Sequence, residues 1–168
     1  MFRHVKKVHF VGIGGIGMSG IAELLLNLGF KITGSDINDS AVIKNLRNKG
    51  AEVAQGHAAK NVTDADVLVY SSAVQEDNPE VIAAQEKGIP VIRRAEMLGE
   101  LIALKETSIG VAGTHGKTST SSMVGTVLSQ AKLDPTLVVG GLVRNIDTNS
   151  LLGAGDIIVV EADEFDRS

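Results

Sequence analysis

Val11-Gly12-Ile13-Gly14-Gly15-Ile16-Gly17-Met18-Ser19-Gly20 is the stretch on which the fold turns. It contains G-x-G-x-x-G at Gly12, Gly14 and Gly17. The preceding Lys7–Val11 reads as a short buried strand, and Ile16–Leu28 carries apolar residues at helical spacing. Strand, glycine turn, helix is the context that the phosphate-binding fingerprint of dinucleotide sites requires. The glycines then differ in what they make possible. Gly12 allows the tight turn, Gly14 the approach of main chain to a diphosphate, and Gly17 the close packing of helix on strand. The helix start supplies unpaired N–H groups and the positive dipole end for an anion. Asp36, 19 residues beyond Gly17, stands where an acid often takes ribose hydroxyls. The motif fits NAD, FAD or a nucleotide-sugar equally well, and a glycine turn serving only strand–helix packing is the bland alternative.

Outward from this turn the chain alternates strands and helices. Lys31–Ser35 reads as a second strand, Ala41–Lys49 as a helix, and Ala51–Ala54 and Val67–Tyr70 as further strands. A helix Pro79–Lys87, a strand Pro90–Ile92 and a helix Ala95–Leu104 complete the series. Gly29, Gly50 and Gly88 follow helices where C-terminal capping glycines belong. This pattern predicts α/β architecture, a Rossmann-like doubly wound parallel sheet over residues 1–104 with ligands at the strand C-termini.

The pattern then restarts, with Lys105-Glu106-Thr107 as the candidate hinge. Ser108–Val111 reads as a strand and Lys117–Ala131 as a helix, with strands expected at Thr136–Val139 and Ile157–Val160. Between the first two lies Gly110-Val111-Ala112-Gly113-Thr114-His115-Gly116-Lys117-Thr118-Ser119. It nearly matches the P-loop pattern, with Val111 in place of the first glycine, leaving G-x-x-G-K-T. Main-chain N–H groups can cradle phosphates there, Lys117 can reach the outer phosphate oxygens, and the Thr118 hydroxyl can hold Mg²⁺. The last apolar strand ends in Glu161, the first acid after it and the candidate Mg²⁺ carboxylate. Asp163, Glu164 and Asp166 read equally as solvated charges. Residues 105–168 are expected to form the beginning of a P-loop ATPase-type α/β domain, with too few elements to cover both faces of a sheet.

Composition narrows the classes. A net charge of −4 leaves no basic footprint for nucleic acid, and 3% aromatics leave little for base stacking. The absence of cysteine removes disulfides and thiolate metal sites, and fits a cytoplasmic protein. Val8–Phe30 follows several basic residues, like a targeting or membrane segment, but its run of glycines with Glu23 and Asn27 makes a membrane helix poor.

Five tracts occur in order: GIGGIGMSGIAELL from Gly12, YSSAV at Tyr70–Val74, RAEML at Arg94–Leu98, GTHGKTST at Gly113–Thr120 and EADEFDRS at Glu161–Ser168. Together they resemble the Mur ligase family over essentially the whole chain. The resemblance implies three domains, binding UDP-sugar, ATP, and ATP with the amino acid; this chain would hold the first and the opening of the second. It implies an ATP-dependent amide-forming ligase of peptidoglycan synthesis, with ATP as substrate and Mg²⁺ as cofactor. The wording GIGGIGMSG points within the family to L-alanine joined to UDP-N-acetylmuramate through an acyl phosphate.

Carried over by position, the resemblance implies Gly12, Gly14, Gly15, Gly17, Met18 and Ser19 at the diphosphate. Asp36, His57, Ser71 and Ser72 would approach the uridine or sugar. Gly113, Thr114, His115, Gly116, Lys117, Thr118 and Ser119 would hold ATP, with Lys117 catalytic and Thr118 and Glu161 on the metal. Asn149-Ser150 departs from the usual Asn-Ala of the family. The rest of the central domain and the C-terminal domain are expected to be missing, so the fragment is expected to bind UDP-sugar without turnover. No nucleic-acid or membrane partner is implied. Three rivals stay open: an NAD(P)-dependent oxidoreductase using the first loop, a non-catalytic nucleotide-binding module using the second, and a sibling ligase attaching a recycled peptide to the same sugar.

Overall fold

The computed structural model describes residues 4–143 and 148–162. The chain divides into two compact units, Met1–Met97 and Leu98–Ser168.

The first unit contains β1 (Lys7–Val11), α1 (Ile16–Asn27), β2 (Lys31–Asp36), α2 (Ala41–Asn48), β3 (Glu52–Gln55), β4 (Val67–Tyr70), α3 (Pro79–Glu86) and β5 (Val91–Arg93). Helix α4 (Arg94–Ile102) begins in it and spans the division. The five strands form a parallel sheet in the order β3-β2-β1-β4-β5. The strand order reverses beside β1, so the crevice opens at the C-terminal ends of β1 and β4, as doubly wound sheets require. Strand β1 is central and covered on both faces, which is why Val8, Phe10 and Val11 are all fully buried. Val11, Leu68, Val81 and Ala84 pack in one cluster with Val62 beneath α3. The connection from β3 to β4 holds only a single 3-10 turn, Ala59–Asn61. No full helix covers the sheet there, and a polar network fills the place.

Helices α1, α2 and α3 end alike. Phe30, Ala51 and Ile89 donate their N–H groups back to Leu25, Leu46 and Ala84, and Gly29, Gly50 and Gly88 sit at positive φ. These are Schellman caps, and glycine takes the left-handed residue without a Cβ penalty.

The second unit contains β6 (Thr107–Val111), α5 (Lys117–Gln130), β7 (Thr136–Val143), β8 (Thr148–Leu151) and β9 (Ile157–Glu161). Its sheet runs β6-β9-β7-β8, with β6, β9 and β7 parallel and β8 antiparallel at the edge. The sequence pattern does not reveal β8, because Thr148-Asn149-Ser150-Leu151 has no apolar alternation to mark it. Helix α5 approaches the sheet through small residues: Ser121 and Gly125 are buried, and a Cβ on Gly125 would lie 2.5 Å from Leu137. The opposite side of α5 leaves Met123 61% and Val127 67% exposed. In the stretch expected as a hinge, the Lys105 ammonium donates to the Gly153 and Gly155 carbonyls of its own unit at 3.0 and 2.6 Å, and Thr107 opens β6.

Candidate functional site

The G-x-G-x-x-G loop closes on its own sheet. Gly12 turns at φ 77°, and the N–H groups of Gly12 and Ile13 both donate to the Ser35 carbonyl, at 2.9 and 3.1 Å. Asp36, at the end of β2, accepts from Gly14 N–H at 2.8 Å through Oδ2 and from Asn38 N–H at 3.0 Å through Oδ1. A carboxylate expected at a ribose therefore also fixes the loop. Crowding at Gly14 follows: a Cβ there would lie 2.8 Å from Asp36 Oδ2 and 3.1 Å from Ile43 Cδ1. At the start of α1 the first-turn N–H groups have no acceptor within the helix. Beside them lies Arg94, whose Nη1 would be 3.2 Å from a Cβ on Gly17. Motif spacing alone passes over Arg94, although it opens the RAEML tract.

These elements border a cleft of about 720 Å³. Of the residues expected to face a nucleotide-sugar, Gly12, Gly14, Gly15, Asp36, His57 and Ser71 line it. Gly17, Met18, Ser19 and Ser72 do not. Met18 and Ser19 are buried, and Ser19 spends both its donors inside the protein, the hydroxyl on the Ile16 carbonyl at 2.9 Å and the N–H on the Gly15 carbonyl at 2.8 Å.

Behind the cleft lies a network no motif announced. Glu80, the second residue of α3, is 0% exposed. Its Oε1 accepts from Ala58 N–H at 3.0 Å and Asn61 Nδ2 at 2.5 Å. Its Oε2 accepts from the Ser35 hydroxyl at 2.6 Å and lies 3.1 Å from His9 Nε2. Burial pushes the carboxyl up, but the His9, Ser35, Asn61 and Ala58 hydrogen bonds outweigh it and hold Glu80 below the usual carboxylate range. His9, in the middle of β1, also meets Thr33 Oγ1 at 2.9 Å, and His57 Nδ1 meets Ser35 Oγ at 2.8 Å. The one sequence signal was His9 itself, a lone polar residue inside an otherwise buried strand.

The second loop joins β6 to α5. Gly113 and Gly116 adopt φ of 145° and 77°, the latter as the residue before the helix. The Lys117 ammonium folds back to the Gly113 carbonyl at 2.7 Å. The Thr118 hydroxyl donates to Glu161 Oε1 at 2.8 Å, because β6 and β9 pair in a register that sets Val111 opposite Glu161. The expected metal pair is thus brought together from residues 43 apart in sequence, and both donors are hard oxygens that suit Mg²⁺. His115 is exposed and meets Thr114 Oγ1 at 3.2 Å. Ser119 is exposed on the first turn of α5. Asp163, Glu164 and Asp166 lie outside the described residues. Among the described residues, no helix is long and apolar enough to cross a membrane.

A doubly wound parallel sheet with a glycine-loop cleft, and a mixed sheet whose glycine-rich loop faces a strand-end acid, define an α/β protein with a glycine-rich loop opening a helix in each unit. More specifically, the chain belongs to the Mur ligase family: the family model "Mur ligase family, catalytic domain" matches residues 7–106. It is 59% identical over 166 residues to the UDP-N-acetylmuramate–L-alanine ligase of Myxococcus xanthus, covering 99% of this chain and 35% of that protein. It is 56% identical to the ligase of the same name from Trichlorobacter lovleyi, covering 100% of this chain and 37% of the relative. The chain therefore spans little more than a third of the length of these relatives. Among solved structures, the UDP-N-acetylmuramate–alanine ligase of Thermotoga maritima superposes with a TM-score of 0.86 at 33% identity, over 92% of this chain and 37% of that one. A UDP-N-acetylmuramate:L-alanyl-γ-D-glutamyl-meso-diaminopimelate ligase from Neisseria meningitides gives a TM-score of 0.87 at 32% identity, over 96% of this chain and 54% of that one.

Proposed function

We propose that this chain supplies the UDP-sugar cleft and the ATP phosphate loop of a ligase that joins L-alanine to the lactyl carboxylate of UDP-N-acetylmuramate. The observation that carries the reading is the pairing, within one chain, of a glycine-loop cleft with a P-loop whose Thr118 meets Glu161 at 2.8 Å. Identity of 59% over 99% of this chain, and 35% of the relative's length, to a protein named for this reaction supports the choice of substrates. The cleft takes the nucleotide-sugar: Gly12, Gly14 and Gly15 border the diphosphate, with the start of α1 and Arg94 just beyond the cleft lining, and Asp36, His57 and Ser71 face the nucleoside or sugar.

The chemistry is an attack of one anion on another. The carboxylate attacks the γ-phosphate of ATP, ADP leaves, and the resulting acyl phosphate is displaced by the alanine amine with loss of phosphate. Neutralising charge is the main demand of the first step. Lys117 leaves the Gly113 carbonyl to meet the outer phosphate oxygens, and the loop N–H groups between Gly113 and Ser119 hold the rest. Thr118 and Glu161 would hold Mg²⁺, which would supply further positive charge. Residues 1–168 correspond to little more than a third of the relatives' length, and this stretch by itself is expected to bind without turnover. Residues 1–104 and 105–168 serve as the UDP-sugar domain and the opening of the ATP domain, in a cytoplasmic protein.

The equally good superposition on the Neisseria meningitides ligase favours a second reading, addition of a peptide to the same sugar. Calorimetric titration of the chain with UDP-N-acetylmuramate and with NAD is the test of the cleft. Binding of the UDP-sugar is expected; binding of NAD alone would overturn the reading. Product formation from ATP, L-alanine and UDP-N-acetylmuramate by this chain alone would overturn the division of labour.

A further inference from the structure

The buried Glu80 network does more than fill the space left by the short β3–β4 connection. The Glu80 carboxylate has about four lone-pair sites, and four donors converge on them. It therefore acts only as an acceptor, and the Ser35 proton must point at it; at 2.6 Å this is a charge-assisted bond. A serine hydroxyl has one proton. With that proton given to Glu80, Ser35 Oγ can meet His57 Nδ1, 2.8 Å away, only by accepting. The proton between them belongs to His57, so the neutral ring is the Nδ1–H tautomer and its Nε2 is a bare acceptor. His57 lines the 720 Å³ cleft with its side chain 17% exposed. Among the described residues no protein group is hydrogen-bonded to its Nε2.

We propose that Glu80 is a positioning residue which, through Ser35, fixes the tautomer of His57 so that the cleft presents an acceptor to a donor group on its ligand. The inference deepens the reading of the cleft as a UDP-sugar site and rests on it for the identity of the ligand. The donor is of the kind a uracil ring N–H or a sugar hydroxyl provides. A ligand offering only an acceptor at that point would face the His57 lone pair and be rejected, which makes Glu80 a determinant of specificity although it never touches the ligand.

The isosteric Glu80→Gln gives the sharpest test. Its carbonyl can keep the bonds from Ala58 N–H and Asn61, which places the NH₂ group against Ser35 and His9. Ser35 then accepts from the amide and donates to His57 Nδ1, and the His57 proton moves to Nε2. Histidine ¹⁵N spectra of the chain read this directly. The wild-type chain is expected to show His57 protonated on Nδ1, and Glu80→Gln to show it protonated on Nε2. Ser35→Ala, which keeps the carboxylate, is a second variant and should release His57 to a mixture of tautomers. Titration with UDP-N-acetylmuramate should weaken about tenfold in Glu80→Gln, the scale of one mismatched hydrogen bond, and Glu80→Gln should cost nothing further in a His57→Ala background. A wild-type His57 protonated on Nε2, or a tautomer unmoved by both variants, would overturn the relay. A tautomer that inverts without any change in affinity would overturn its role in ligand selection. Tautomers as expected in a chain that binds no UDP compound would uphold the relay and sink the UDP-sugar reading instead.

Discussion

The two glycine loops look alike in sequence and are held by opposite means. In the first, Gly12 also takes φ 77°, but space is the added constraint: a Cβ would lie 2.8 Å from Asp36 at Gly14 and 3.2 Å from Arg94 at Gly17. The loop is pinned from outside by Ser35, Asp36 and the network behind them. In the second, backbone angle is the constraint: Gly116 has φ 77° with nothing within 4 Å of a Cβ, and Gly113 has φ 145° with only the His115 carbonyl, at 3.8 Å. That loop is held from within, by Lys117 on the Gly113 carbonyl, and by one bond from Thr118 to Glu161. A crowded cradle is rigid before its ligand arrives, while an open one can rearrange as Lys117 moves. Under the proposed function, the first arrangement would suit selection of a particular nucleotide-sugar and the second a phosphate chain that must react.

The largest effect expected of this difference is at Glu80. Glu80→Ala would leave His9, Ser35, Asn61 and Ala58 N–H without their shared acceptor, at a cost of about 3–5 kcal/mol. Urea unfolding should register the loss in the first unit and spare the second; equal loss in both would break the contrast. Acid should act at the same place. The Glu80 pKa is lower in the folded chain than its ordinary 4.5, so its contribution to stability is present above that value and is lost as pH falls through the folded pKa. Stability measured from about pH 6 downward should therefore fall below about pH 4.5, and Glu80→Gln should flatten that fall.

Gly14→Ala comes next. The new methyl must displace Asp36 or Ile43, which breaks the Gly14–Asp36 bond; overpacking of this kind costs about 1–3 kcal/mol. Gly116→Ala meets no atom and should cost only the left-handed backbone, about 1–2 kcal/mol. The two substitutions also separate in kind. A second change that shortens Ile43 to Val should partly rescue Gly14→Ala, whereas no neighbour lies within 4 Å of Gly116 for such a rescue. Rescue is read from the shift in melting temperature, and its absence at Gly14 would mean that backbone strain governs both loops.

Most of this architecture was legible in the sequence because periodicity and glycine placement are local signals. The strands β1 and β4 stand where their apolar runs predict, and the glycines after α1, α2 and α3 cap them. What stayed hidden was assembled from distant residues. His9, Ser35, His57 and Glu80 lie on four separate segments, and each has an ordinary reading alone. Glu80 follows Pro79 in the first turn of a helix, where an acid is explained by the dipole and invites no further question. Asp36 was placed by motif spacing, but motif spacing cannot show that its oxygens hold Gly14 and Asn38. Thr118 and Glu161 were the favourable case, since a P-loop followed by a strand-end acid is a long-range pattern that still leaves a mark in sequence.

The smallest effect sharpens the same contrast at a helix end. Helix α5 stops with the hydrogen bonds used by α1, α2 and α3: Leu133 N–H returns to Leu128 and Lys132 N–H to Ser129. The left-handed position, however, is Lys132 at φ 61° rather than glycine. The cap bonds alone therefore suffice to hold a side chain in the disfavoured conformation. Lys132 is exposed, so its replacement disturbs little else. Lys132→Gly should relieve the Cβ clash while adding freedom to the unfolded chain, for a net gain of about 0.5–1 kcal/mol. The reverse change, Gly29→Lys, has open space around the new Cβ and should cost a similar amount. Denaturation midpoints that move in these opposite directions would establish that the two units share one stop signal and differ only in how well the residue at it fits. A Lys132→Gly variant that is less stable than the parent would show that the lysine stem contributes more through packing than its backbone costs.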